Sequence, residues 1–444
     1  MRILSPVTIP GKIFVQVCVF FYLYSVQFNG IPFHIGTRII LSASGLLILL
    51  FNCIKQLDHR KDIFISRDLV GYMIAFLVLS SFSIACIFLN GTSDIEFVKY
   101  PLSLVFILLA GYCIYFMLKK VYKQVTYEII MYHIIIAVLI QVVLSLTSFL
   151  SPLVNDILIS IQYVSDQDIS KIEETTGFRL IGFGSTFFGS GIVNGYALML
   201  IAVLLKKKTA GRLQVFFLSF LFLVIFVLGM MMARTTLVGF ILAIIYLLVP
   251  SYYFNKKILR NKRRFFINLV LIPVITFSMI TFLFPKTIEN IEAAANFGFE
   301  IFINYSESGE LESASTSRLK EMYVFPSHPK TYIIGDGKYY EQPGNPASGY
   351  YMNTDVGFLR LIYYFGLIGM LLYFSLQFLV IKNAVRRNSY YADVKKFLLL
   401  SFMYCIILNF KGFTDIFFLS IMFCFPGTAA KPAAYSQILG ETTV

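Results

Sequence analysis

Apolar runs of eighteen or more residues recur along this chain, and that pattern limits what it can fold into. Each run is about long enough to cross ~30 Å of hydrocarbon as a helix. Candidate spans fall at 13–28, 35–54, 69–89, 101–118, 129–150, 187–205, 213–232, 235–254, 265–284, 356–381, 397–410 and 416–425. The last two are short and read either as crossings or as a re-entrant pair. Only 14% of the residues are charged, against about 25% in soluble domains. A β-barrel would need short alternating segments, which are absent from the pattern. The expectation is an all-α polytopic membrane protein of about twelve transmembrane helices. Nine lie in 1–284 and three in 356–425, and the small, polar tail 426–444 reads as disordered. No small-residue cleavage site follows the first run, so it reads as a retained helix.

Two polar segments interrupt this pattern. The first, 151–186, has an acidic part (Asp166, Asp168, Glu173, Glu174) and then a glycine-rich approach, GFRLIGFGSTFFGSG. The second, 285–355, has helical spacing in its first half and a turn-rich second half containing GDGKYYEQPGNPASG. The formal net charge of +13 does not mark a nucleic-acid binder. With the N-terminus in the cytoplasm, every internal connection is the basic one, as at Lys206, Lys207 and Lys208 or Arg386 and Arg387, and the acidic residues favour the other side. Both polar segments then face outward, and 285–355 is a large extracytoplasmic loop. The six cysteines sit in or beside apolar runs, so no disulfide staples the outer loops and no cysteine metal site is present. No repeat or matched halves are visible, which weighs against a transporter of inverted repeats.

Four arginines on the outer side are the strongest candidates for chemistry. Arg234, in MMMARTTLVG, is the only charge between Arg212 and Lys256, in a hairpin that needs no cation. Arg179 opens the glycine-rich approach, Arg318 lies mid-loop in STSRLKEM, and Arg360 lies one turn inside the tenth span. Guanidinium forks match phosphate oxygens bidentately and stay charged, so such a cluster suits a pyrophosphate. The plainer reading of Arg234 is an interfacial arginine snorkelling to headgroups. Asp355, where the loop meets the tenth span, is either a helix N-cap or a general base. His328, between prolines, is a second base candidate or a solvated loop residue. Tyr350 belongs to a tyrosine-dense stretch with Tyr339, Tyr340 and Tyr351, suited to an interfacial belt or to stacking on sugars. No converging ligands have metal-site spacing. His133 and Lys99 read as structural, and Lys411 and Asp415, four apart, as a local pair.

Two of these places resemble the O-antigen polymerase (Wzy) and O-antigen ligase (WaaL) superfamily of bacterial membranes. ARTTLVG around Arg234 is similar to the family's arginine hairpin, with Leu237 one position early. At the loop exit, family ligases carry a His, a polar residue, nine residues, and then Gly-x-x-Gly. Here the frame gives Asp355, Val356, nine residues, Gly366, Leu367, Ile368 and Gly369. The Asp in place of His favours a polymerase over a ligase. Arg179 with Gly182, Gly184 and Gly189 resembles a polymerase loop motif, and Arg318 is a looser match for its partner. The resemblance implies a GT-C-like fold and metal-independent, cofactor-free joining of undecaprenyl-pyrophosphate-linked repeat units at the outer face of the cytoplasmic membrane. It also implies partners such as a flippase and a chain-length regulator. In that mechanism Arg234, Arg179 and Arg318 stabilise the leaving pyrophosphate, and Asp355 orients or deprotonates the acceptor hydroxyl. Transfer of finished glycan to lipid A-core is the nearest alternative, then a lipid-linked oligosaccharide flippase, then a structural scaffold.

Overall fold

The computed structural model describes residues 9–425 except 59–65, 165–168, 170, 171, 173, 176, 186, 208, 209, 251–255, 284, 389 and 390, with 33 and 276–290 described as backbone only. The expected tail 426–444, and Asp166, Asp168 and Glu173, lie outside the described residues. Among the described residues there are only isolated β-bridges and no named strand, so the chain is all-α.

Among the described residues, seven helices are long and apolar enough to cross a membrane. They are α2 (Thr37–Asp58), α3 (Arg67–Asn90), α4 (Glu96–Tyr122), α5 (Tyr127–Leu150), α7 (Phe187–Leu205), α8 (Arg212–Met232) and α14 (Gly357–Arg387). Shorter apolar helices are α1 (Ile9–Leu23), α6 (Pro152–Ile161) and α9 (Thr236–Leu248). Between them come α10 (Lys256–Leu283), α11 (Pro285–Ser308), α12 (Ala314–Glu321) and α13 (Pro329–Ile334), and α15 (Ala392–Asn409) and α16 (Phe417–Ser420) close the chain. Large apolar side chains point outward, including Leu47 at 67% exposure and Phe88 at 80%. In water such surfaces favour association; in hydrocarbon they need no cover.

α7 is the central strut, buried from Ser190 to Leu205. It meets α9 glycine on glycine, for a Cβ on Gly239 would collide with the backbone of Gly195. Small residues at a crossing let helix backbones approach where apolar burial gives no drive between helices. This crossing fixes the short turn before α9, where Ala233 is extended and Thr236 donates to the Gly229 carbonyl at 2.9 Å.

The basic connections gather at one end of the bundle. Arg386 and Arg387 pair with Asp68, Lys207 pairs with Glu128, and Lys206 donates to the Val249 carbonyl at 2.9 Å. Their clustering fits the charge alternation of the sequence.

Polar segment 285–355 is more ordered than its composition suggests. Helical spacing in its first half becomes α11, and its turn-rich second half docks into a break in α14. At Gly366 (φ 69, ψ −170) the helix is interrupted. The amides of Asp336 and Gly337 donate to the carbonyls of Tyr363 and Tyr364 at 2.6 and 3.2 Å. From the opposite side the turn between α3 and α4 clasps the same strip. Asp94 accepts from the amides of Tyr339 and Tyr340 at 2.8 and 3.2 Å, and Thr92 donates to the Gly337 carbonyl.

The expected twelfth span, 416–425, is only partly helical: α16 has four residues and a 3-10 turn, Ile421–Cys424, follows. Its carbonyls and those of the turn before it are met by side chains. Tyr22 donates to Phe418 at 2.7 Å, Asn388 to Phe423 at 3.0 Å, and both Tyr373 and Asn409 to Thr414. Non-helical backbone is tolerated at such depth only when protein satisfies it.

Gly366 supplies a direct test. Its backbone angles lie in a region essentially reserved for glycine, and a Cβ there would strike the Ile333–Ile334 backbone. Gly366→Ala should therefore lower stability by at least ~1–3 kcal/mol, read as the thermal midpoint in detergent. Gly71→Ala, in a half-buried helical position with open space around it, should be neutral or slightly stabilising.

Candidate anion site

The hairpin between α8 and α9 presents Arg234, which is buried at 8% exposure. Its guanidinium is held on every side. Nε donates to the Phe297 carbonyl at 2.7 Å, Nη1 to Ser315 Oγ at 2.8 Å, and Nη2 is paired with Glu300. The Phe297 ring lies 4.3 Å from the guanidinium carbon, within cation–π range. A snorkelling arginine would reach into open solvent; this one is locked into the fold. α11 delivers Phe297 and Glu300 because Gly298 lets it approach the backbone of Met230 and Met231.

Arg179 reaches the same place. Leu180 donates its amide to the Met231 carbonyl at 3.2 Å, which pins the glycine-rich approach to the end of α8. Arg179 Nε then donates to Met232 O at 2.7 Å. Its guanidinium carbon lies 4.2 Å from the Phe187 ring and 5.0 Å from the Phe297 ring. Arg179 and Arg234 thus share one aromatic ring. Burial, then the like charge of Arg234, brings the Arg179 pKa down to about 10. Burial also lowers that of Arg234, and Glu300 opposes the shift.

Arg318, on the exposed face of α12, completes the lining of a cavity of about 540 Å³ with Arg234, Phe178, Phe297, Glu300 and Ser315. Glu300 has a second task, since its other oxygen accepts from the Ala314 amide at 2.9 Å, at the start of α12. One carboxylate therefore joins Arg234 to a helix N-terminus, where negative charge is favourable.

Asp355 is partly buried and stands one residue ahead of the N-cap of α14, which is Val356. The hydroxyl of its neighbour Thr354 accepts from the Val356 amide at 3.3 Å. The charge of Asp355 acts on Lys411. The expected local pair of Lys411 with Asp415 is corrected: Asp415 accepts from Tyr100 at 2.7 Å, Gln377 at 3.1 Å and the Phe417 amide at 2.6 Å. The helix ends at Asn409, so four-residue spacing no longer places the two on one face. Lys411 donates to Thr235 Oγ1 at 3.1 Å, beside Arg234. Burial and then the charges of Arg179 and Arg234 pull its pKa down to about 8, and Asp355 opposes the shift.

Arg360 does not line this cavity. It is buried among aromatic rings, 3.5 Å from the Tyr350 centroid, 4.3 Å from Tyr339 and 5.8 Å from Phe413, and it bonds the Tyr339 hydroxyl. Tyr350 also stacks on Tyr340, with ring planes 17° apart. These contacts tie the tyrosine-dense strip to α14. His328 has an exposed side chain and stands at the N-cap position of α13 without capping it. His133 is structural as expected, bonded to Gln16 at 2.7 Å and to Tyr122 at 3.1 Å. Among the described residues no group of three metal-ligating side chains converges.

Sequence reasoning missed Glu300 and Lys411 as parts of this arrangement. Glu300 is one of several loop carboxylates with no distinguishing neighbours, and Lys411 was hidden by its spacing to Asp415. No family model, curated protein or solved structure matches the chain.

Removing Glu300 tests how far this arrangement depends on it. Glu300→Ala leaves both Arg234 and the start of α12 without their acceptor, and should lower stability by about 1.5–3 kcal/mol. Glu300→Gln, which can still accept from the Ala314 amide, should lose less. Thermal midpoints of the purified variants measure the difference.

Proposed function

We propose that this chain is a bacterial polysaccharide polymerase, joining undecaprenyl-pyrophosphate-linked oligosaccharide repeat units at the outer side of the cytoplasmic membrane. One observation carries the reading: Arg234 and Arg318, distant in sequence, line a single cavity, Arg179 shares the Phe297 ring with Arg234, and the charge of Asp355 reaches them through Lys411. The resemblance at ARTTLVG and at the Asp355…Gly366…Gly369 frame supports the same reading. In it the protein has a GT-C-like fold of about twelve membrane segments, its N-terminus is cytoplasmic, and the cavity opens outward. A flippase and a chain-length regulator are its expected partners.

The mechanism follows from the charges. The donor is the growing glycan on its lipid pyrophosphate, and the acceptor is a single lipid-linked unit. An acceptor hydroxyl attacks the donor's anomeric carbon opposite the pyrophosphate, the carbon–oxygen bond to pyrophosphate breaks, and the centre inverts. Asp355 takes or directs the hydroxyl proton. Arg234 and Arg179 face the charge that gathers on the leaving group, and fixed donors of this kind are commonly worth ~3–4 kcal/mol each. At rest Glu300 holds Arg234 in place, and the pyrophosphate competes for the same guanidinium.

Arg234→Ala in cells should cut long glycan about 100-fold or more and leave single repeat units on the carrier. Long glycan of normal length and amount would sink the pyrophosphate role. Loss of a ligase would instead leave long chains on the lipid carrier. Asp355→Asn keeps shape and removes charge, so it should abolish polymer at unchanged protein level; retained polymer would exclude Asp355 as the base.

A further inference from the structure

Lys411 is held with as much care as the arginines. Past the end of α15, Asn409 donates to the carbonyls of Cys405 at 2.8 Å and Thr414 at 3.1 Å, and it accepts from the Thr414 amide at 3.3 Å. Gly412 packs against the Phe188 ring at the start of α7, where an added Cβ would stand 3.0 Å from the ring. This knot sets the direction of Lys411, whose ammonium donates to Thr235 in the Arg234 hairpin.

The charge balance at this point is uneven. Arg179, Arg234 and Lys411 lie within electrostatic reach of one another. Against these three cations stand two carboxylates, Glu300 paired with Arg234 and Asp355 acting on Lys411. Among the described residues no carboxylate lies within ion-pair distance of Arg179, which rests on a carbonyl and two rings. Like charges gathered in a partly desolvated place oppose one another, and a polyvalent anion relieves them. We propose that Lys411 is a further direct ligand for the pyrophosphate of the lipid-linked donor, gripping it from the Thr235 side; this rests on the polymerase reading above.

A lysine here differs from a fourth arginine because it titrates in the working range. The charged groups acting on it are Arg179 ahead of α7, Arg234 in the hairpin and Asp355 ahead of α14, and the Tyr323 hydroxyl donates to the carbonyl of Phe410, the residue before it. Lys411 loses its proton near pH 8 when the site is free, so affinity for an anion should fall as pH rises through that value.

Isothermal titration of the full-length protein in detergent with inorganic pyrophosphate tests this. At pH 7, Lys411→Met should bind about tenfold more weakly than the unaltered chain, and Lys411→Arg should bind as tightly. Between pH 7 and 9 the unaltered chain should lose affinity relative to Lys411→Arg, whose curve carries the ligand's own ionisation. That comparison stands even if Lys411→Met fails to fold. Equal binding by Lys411→Met, or identical pH curves for Lys411 and Lys411→Arg, while Arg234→Ala abolishes binding, would overturn the role of Lys411 and leave the pyrophosphate site standing. No binding by the unaltered chain would overturn both.

Discussion

Wherever the backbone leaves a helix inside this bundle, something else takes over the lost hydrogen bonds. A buried peptide group without a partner is costly, and hydrocarbon offers none. At Gly366 the substitute is polar segment 285–355, whose amides at Asp336 and Gly337 reach the carbonyls of Tyr363 and Tyr364. Along 412–425 the substitutes are side chains from Tyr22, Tyr373, Asn388 and Asn409. The polar loop is therefore part of the bundle. Its second half completes α14, and its first half, α11, completes the surroundings of Arg234.

This coupling gives the cation site its rigidity. Arg234 is fixed by a carbonyl, a hydroxyl, a carboxylate and a ring, all from segment 285–355. Arg179 is fixed by the hairpin that carries Arg234. Lys411 is fixed by a turn that must fold tightly because its own backbone is buried. Three cations from three distant segments are held close by contacts that would cost little if the charges were absent. Donors arranged before charge develops need no reorganisation when it does.

Much of the bundle was legible because crossing hydrocarbon demands long apolar runs, and among the described residues seven such helices stand at expected runs. Arg234 was legible for the converse reason: a lone charge in a tight hairpin has no topological excuse. Arg179 and Arg318 were named by residue type and place, but their convergence depends on α11 packing against the end of α8, which no local pattern records. One rule of spacing failed for a physical cause. The pairing of Lys411 with Asp415 assumes a helix running through both. α15 stops at Asn409, so both residues lie outside the helix that would have made them local partners. Arg360 was legible as a buried charge; its aromatic surroundings were not, since Tyr339 and Tyr350 reach it only through the docked loop.

Arg360 and Arg234 show how one residue type takes two jobs. Both are buried at 8% exposure, and both lie against aromatic rings. Arg234 opens onto a cavity with a carboxylate and a second arginine; Arg360 is closed in by Tyr339, Tyr350 and Phe413. A planar guanidinium stacks on ring faces in a way an ammonium cannot, so it can join a loop to a helix here. Arg360 and Gly366 thus seat the loop, and Asp355 is left on the side facing Lys411.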